Sequence, residues 1–231
     1  MDSYTNKETA PWIKYNGQIK DILIQNGMTG IGDNAFKYCW DLTMVHLPEG
    51  LKRIGFAAFR DCKKMKEITL PESLISIGEE AFCFCHSLTR INLPQNLTDL
   101  GRKAFYNCSS LEDIEFSGSV KNIEEKTFFG CSRLKYFNFP CSISAIGDEA
   151  FSHCTSLEKM ELPAGVTSLG KGVFSHCTSL ENIVIPNSVC SIGGSAFSGC
   201  SNLKDIVLPD GITDIEDCLF MKSEKNDRYR D

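Results

Sequence analysis

A chain of 231 residues, 42% hydrophobic and 23% charged, is long enough to bury a sizeable core as one domain or two. Its formal net charge of -6 argues against nucleic acid, which calls for a basic face, and equally against an anionic membrane surface. No apolar run approaches the roughly 20 residues that span a bilayer, so no membrane insertion is expected.

The N-terminal stretch MDSYTNKETAPW lacks a basic region followed by an apolar one, so no signal peptide is read there. The expectation is a cytoplasmic chain, or a piece of something longer and exported. Residues 1–11 are a lead-in. Over 12–30 a pattern begins: Ile19, Ile22, Ile24 and Met28 each stand 23 residues before Leu42, Val45, Leu47 and Leu51. Ile13 falls in register with Phe36, and Trp12 is expected to cap the open end of the core. Residues 12–30 are therefore a degenerate first repeat.

From Ile31 to Phe220 the same step of 23 residues continues without insertion or deletion. Twelve cysteines suggest a disulfide scaffold until their positions are compared. Cys39, Cys62, Cys85, Cys108, Cys131, Cys154, Cys177 and Cys200 keep the step, and only Cys83, Cys141, Cys190 and Cys218 fall outside it. Phenylalanine recurs from Phe36 through Phe59, Phe82 and onward to Phe220, and Ile or Leu from Ile31 to Ile215. Gly follows that Ile or Leu except at Glu124 and Glu216, and Pro recurs from Pro48 to Pro209 except at Ser117. The composite is L-x-x-I-x-L-P-x-x-[LV]-x-x-I-G-x-x-A-F-x-x-C-x-x. Self-similarity of this kind signals one solenoid with no domain boundary inside it.

Each part of the unit has an expected shape. Ile68-Thr69-Leu70 and Ile91-Asn92-Leu93 alternate as a short strand with one buried face does. Proline ends the strand because it cannot donate the next ladder bond. The Ile-Gly step turns the chain, glycine being free to take a conformation that other residues resist. The stretch x-x-A-F-x-x-C is too short for a regular helix and is read as one helical or 3₁₀ turn. The fold class is thus α/β: a solenoid of residues 12–221 with parallel strands on one face and helical or 3₁₀ turns on the other. The repeat beginning near Leu111 deviates, with Ser117 for Pro, Glu124 for Gly and Thr127 for Ala, and an irregularity in curvature is expected there. The charged tail, 222–231, has no periodic apolar residue and is expected to fray.

The unit IGEEAFCFCHSLTRINLP resembles the BspA-like leucine-rich repeat, over about Trp12 to Phe220. The segment APWIKYNGQIKDILIQNGMTGIGDNAF resembles the lead-in common in that family. The resemblance implies an interaction module, often exported and adhesive, with protein partners and no shared catalytic residues. It also gives the cysteine column a place: in leucine-rich repeats this position is Asn or Cys, whose polar atom serves loop backbone while its body packs in the core. The column is therefore read as buried free thiols, since equivalent side chains point the same way and seldom meet in disulfide geometry.

Other constellations are weaker. Cys83, Cys85 and His86 lack a second metal-binding half, and His153 with His176, side by side on the outer face, are only two ligands. Gly30-Ile31-Gly32-Asp33-Asn34-Ala35 fits a dinucleotide fingerprint, but the repeat explains it and no long helix follows. The sequons at Asn96 and Asn107 are short enough to arise by chance. Neither metal nor cofactor is expected, and no enzymatic motif is found.

A binding face must then come from variable positions. The outward strand columns read Met44, Glu67, Arg90, Asp113, Tyr136, Lys159, Asn182, Asp205 and His46, Thr69, Asn92, Glu115, Asn138, Glu161, Val184, Val207. Generic solvated sheet surface is the plain reading. The functional one places a protein partner on the centre, at Arg90, Tyr136 and Lys159 with Asn92, Asn138 and Glu161, where aromatic and long charged groups mix. Val184 and Val207 form an apolar pair toward one end, suited to contact or to weak self-association of an otherwise monomeric chain. The competing readings are a rigid spacer within a larger surface protein and an enzyme whose site the repeats disguise.

Overall fold

The computed structural model of the chain describes residues 10–212 and 219–220. The expectations for Ile215, Glu216, Cys218 and the tail lie outside them, as does most of the lead-in. The repeats coil into a parallel-strand solenoid, each coil stacking on the one before at equivalent positions, as in Ile54↔Ile77 and Ile91↔Ile114.

Two strand ladders run along it, where the sequence suggested one. The broader ladder holds the expected strands: Asp21–Leu23 with Met44–His46, Arg90–Leu93 with Asp113–Phe116, and Lys159–Glu161 with Asn182–Val184 and Asp205–Val207. Alternation does the work here, since Arg90–Leu93 reads exposed, buried, exposed, buried. The narrower ladder consists of two-residue strands just before the glycine turn. It pairs Gly30–Ile31, Arg53–Ile54, Ser76–Ile77 and Asp99–Leu100, then Asn122–Ile123, Ala145–Ile146, Ser168–Leu169 and Ser191–Ile192.

The x-x-A-F-x-x-C segments are not helical, which corrects both the helical-turn expectation and the α/β label. Among the described residues the only helical element is the 3₁₀ turn Ile13–Tyr15 in the degenerate first repeat. The reason lies in the backbone. Within one segment Ala35, Lys37 and Cys39 donate to carbonyls three residues back. The intervening amides of Asn34, Phe36 and Tyr38 donate to Phe56, Ala58 and Arg60 of the next coil at 2.7, 2.8 and 2.8 Å. Every second N–H is thus committed to a neighbour. The chain also enters the left-handed region twice per segment, at Asn34 and Tyr38, Ala57 and Asp61, Glu80 and Phe84, and on to Ser195 and Gly199. A right-handed helix cannot run through such residues.

The glycine of the Ile-Gly step has a different role from the expected one. Gly55, Gly78, Gly101, Gly147, Gly170 and Gly193 do not occupy the left-handed region. A Cβ on Gly78 would lie 2.7 Å from the carbonyl carbon of Gly55 and 2.8 Å from the nitrogen of Phe56. Close approach of successive coils, not an unusual φ, requires glycine there. Glu124 is the exception among the described coils, and the narrower ladder stops between Leu100 and Asn122 at that point. Thr127 fills the alanine position fully buried, its hydroxyl satisfied by the Glu124 carbonyl at 2.8 Å.

The core runs between the ladders and the turns. Phe36, Phe59, Phe82, Phe105, Phe128, Phe151, Phe174, Phe197 and Phe220 stack with ring centroids 5.4 to 5.8 Å apart. Trp12 closes the stack at 5.6 Å from Phe36 and donates its indole N–H to the Ala35 carbonyl at 2.7 Å. The cap is therefore Trp12 as expected, and Trp12 rather than Ile13 meets the phenylalanine column.

Candidate functional site

The repeat positions are consumed by packing. Column cysteines from Cys39 to Cys177 are buried and free, Cys200 is half-buried, and from Cys62 onward each donates its S–H to the phenylalanine carbonyl of the preceding coil: Cys85 to Phe59 at 3.2 Å, Cys108 to Phe82 at 3.1 Å, Cys177 to Phe151 at 3.1 Å. Burial pushes these thiols up, Cys39 and Cys154 to about 12, so the nucleophilic thiolate is scarce at neutral pH. Cys83 lies outside the column yet is buried too, and burial likewise raises it to about 12. Cys141 and Cys190 are exposed.

The strand face carries the variable residues. Arg90, Asn92, Tyr136, Asn138, Lys159 and Glu161 are all exposed, as the column reading expects. Their settings differ. Arg90 and Asn92 sit on the paired strands at 90–93 and 113–116, and Arg90 Nε lies 3.1 Å from the Asp113 carboxylate. Lys159 and Glu161 begin the three-stranded ladder that continues to Val207. Tyr136 and Asn138 lie between the two in a segment without ladder pairing. The expected unbroken strand surface is therefore interrupted at its centre. Size explains it: Phe137 stands where other coils carry Ile, Val or Met, and Phe116 and Phe139 where others carry Leu or Ile. Phe137 lies 6.2 Å from Phe116, 4.6 Å from Phe139, 5.1 Å from Phe128 and 4.9 Å from Phe151. Tyr136 is 56% exposed and donates its hydroxyl to Glu158 at 3.0 Å, a bond that holds its pKa above the ordinary phenol value.

Large apolar side chains are exposed at both ends of this face: Leu23 at 73% and Met44 at 51% near one end, Val184 at 67% and Val207 at 80% near the other. Leu23 lies outside the columns taken from the sequence, because the first repeat is degenerate; its pairing with His46 puts it in register.

The turn face carries a second line of rings that the sequence reading did not single out. Phe84, Tyr106, Phe129, His153 and His176 follow one another at 5.5, 4.9, 5.1 and 4.6 Å. They belong to neighbouring positions of the unit, and only the stacking geometry joins them. His153 and His176 do stand side by side, parallel within 12°. Desolvation, and then the neighbouring His176, lowers the His153 pKa. Arg60 lies between the carboxylates of Asp61 and Glu80 and 5.5 Å from the centroid of Phe84. Among the described residues no group of three or more His, Cys, Asp or Glu is placed to hold a metal ion. Nor is any helix there long and apolar enough to cross a membrane.

Comparison with known proteins agrees with this architecture. The BspA type leucine-rich repeat region matches in six copies, over residues 14–135 and 98–227. No curated protein matches the chain. Among solved structures, a leucine-rich repeat protein from Bacteroides ovatus is 34% identical with a TM-score of 0.64, over 81% of this chain and 55% of that one. A protein from T. pallidum described as a leucine-rich repeat protein is 28% identical with a TM-score of 0.57, over 88% and 87% of the two chains. A protein from Faecalibacterium prausnitzii described as a leucine rich cell surface protein is 25% identical with a TM-score of 0.54, over 87% of this chain and 64% of that one. The chain thus spans little more than half the length of the Bacteroides protein.

Proposed function

The chain belongs to the BspA-type leucine-rich repeat family, and from that premise we propose that it is a non-catalytic protein-binding scaffold whose strand face receives a protein partner. One observation carries this reading. The unit spends its repeated residues on the core, so the exposed columns through Arg90, Asn92, Tyr136, Asn138, Lys159 and Glu161 are where sequence varies freely on a fixed frame. Side chains held on such a frame lose little freedom on docking. Tyr136 is the anchor of choice, a large amphipathic ring at the centre. A surface location and an adhesive role suit a family in which one relative is described as a cell surface protein.

A second reading, a rigid spacer module of a larger surface protein, draws on the fact that longer relatives contain this chain's length as a part. Alanine substitution separates the two. Protein captured by the immobilised chain is expected to be lost when Arg90, Tyr136 and Lys159 become Ala together, and retained when His153 and His176 do. Capture that survives the first set and is lost with the second moves the site to the turn face. A chain that captures nothing specific favours the spacer.

A further inference from the structure

We propose that the N-terminal end of the turn face, around Trp40, is a binding site for an acidic saccharide, separate from the strand face and independent of it. The first sign is a residue that the repeat does not call for. At the position after the column cysteine, every following coil carries a polar residue, from Lys63 and His86 to Thr178 and Ser201. Trp40 stands there instead, 48% exposed. The core has no use for it, since Trp12 already closes the phenylalanine stack.

Other exposed rings gather beside it. Tyr38 has its centroid 6.5 Å from that of Trp40, with the two planes 52° apart, and Tyr15 belongs to the preceding coil; both are exposed. Gly17 stands next to the indole, where a Cβ would only touch Cε3 at 4.0 Å, so residue 17 leaves that edge uncovered. The backbone beneath is fixed. Tyr38 donates its N–H to the Arg60 carbonyl at 2.8 Å, and the Trp40 carbonyl accepts from Lys64 at 3.2 Å. The buried Asn16 amide donates to the Lys37 carbonyl at 3.2 Å, tying the first coil to the second. Rings held in this way lose little freedom when a ligand covers them.

Two cations complete the patch. Lys14 Nζ lies 5.0 Å from the centroid of Tyr15, and Lys37 Nζ lies 5.1 Å from that of Tyr38. Neither lysine has an ion-pair partner among the described residues. Asp41, next to Trp40 in the chain, is engaged by Lys64 at 2.6 Å, and Asp61 by Lys63 and Arg60 at 3.7 and 3.6 Å. On a chain of net charge -6, ammonium groups without a carboxylate leave room for an anion from outside. The ligand is defined by using both kinds of group. The negative face of an aromatic ring attracts positively polarised C–H groups, which a pyranose presents on one side. The ammonium groups take the carboxylate or sulfate that an acidic sugar carries. A neutral sugar leaves the lysines unused, and a simple anion leaves the rings unused.

Isothermal titration calorimetry of the full chain tests it with three probes of matched length: an oligogalacturonate, a heparin-derived oligosaccharide and a neutral malto-oligosaccharide. Saturable binding of an acidic probe is expected, with the neutral one at least about tenfold weaker. Trp40→Ala is expected to weaken the acidic probe about tenfold or more. The double variant K14Q/K37Q is expected to weaken it comparably and to flatten its salt dependence. Lys121→Gln, which removes an exposed lysine from a later coil, is expected to leave binding unchanged. Failure of both acidic probes to bind overturns the proposal, as does equal binding of the neutral one. Binding that a folded Trp40→Ala chain retains in full reduces the site to charge and overturns it too. Should Trp40→Ala not fold, binding unaffected by K14Q/K37Q, or weakened as much by Lys121→Gln, overturns it. Binding to phosphatidylglycerol vesicles in place of the saccharides assigns the patch to lipid, with the same consequence. None of these outcomes bears on protein capture by the strand face.

Discussion

The turn face and the strand face are built from the same coils, yet only one is continuous. On the turn face the inter-coil hydrogen bonds run without a gap from Asn34 to Phe197, crossing the deviant repeat through Lys103 to Glu125, Phe105 to Thr127 and Asn107 to Phe129 at 3.0, 2.9 and 2.7 Å. The phenylalanine stack and the cysteine bonds run beside them. On the strand side the narrower ladder stops at Glu124, and the broader one breaks at Tyr136–Asn138 and is reduced to the single bridge Glu67↔Arg90 near the third coil. The turn-face bonds continue even where the unit deviates, and where strand pairing lapses the phenylalanine stack behind it still joins the coils.

The largest test of that contrast is Phe151→Ala. Phe151 is fully buried between Phe128 at 5.4 Å and Phe174 at 5.7 Å, with Phe137 against its side. Emptying it is expected to cost about 3–5 kcal/mol in chemical denaturation, because neighbouring coils are fixed and cannot collapse into the gap. An unchanged unfolding midpoint would place the spine's stability elsewhere.

A smaller effect separates the kept coils from the deviant one. Gly78→Ala drives a methyl into the backbone of Gly55 and Phe56, and is expected to cost about 1–3 kcal/mol. Glu124→Ala, at the equivalent position, is expected to change stability by no more than about 0.5 kcal/mol, since a side chain is already accommodated there. Equal costs at the two positions would mean that Glu124 is not what opens the narrower ladder.

Much of this was legible in the sequence because a strict period converts one local reading into nine. The register of the cysteine and phenylalanine columns, the capping Trp12 and the irregular repeat near Leu111 all followed from spacing alone. The turns did not, because A-F-x-x-C resembles a helical turn in composition. Left-handed residues such as Lys103 and Phe84 carry no side-chain signature of that conformation. The role of glycine after Ile was misassigned for a related reason: the atoms that exclude a Cβ at Gly78 belong to a coil 23 residues earlier. For the candidate face, the columns named the exposed residues correctly. The partners of those residues, Asp113 for Arg90 and Glu158 for Tyr136, depend on side-chain reach across coils, and the break at Tyr136 depends on how three bulky rings share one core.

Amide hydrogen exchange in the native chain tests the central contrast most directly, since it reads each backbone bond separately. The amides of Phe105, Phe128 and Phe151, which donate to the next coil at 2.9 Å in each case, are expected to exchange slowest. Those of Tyr136 and Asn138, without ladder partners, are expected to exchange fastest among the central coils. Protection at Tyr136 and Asn138 equal to that at Phe128 would contradict the account and make the strand face as continuous as the turn face.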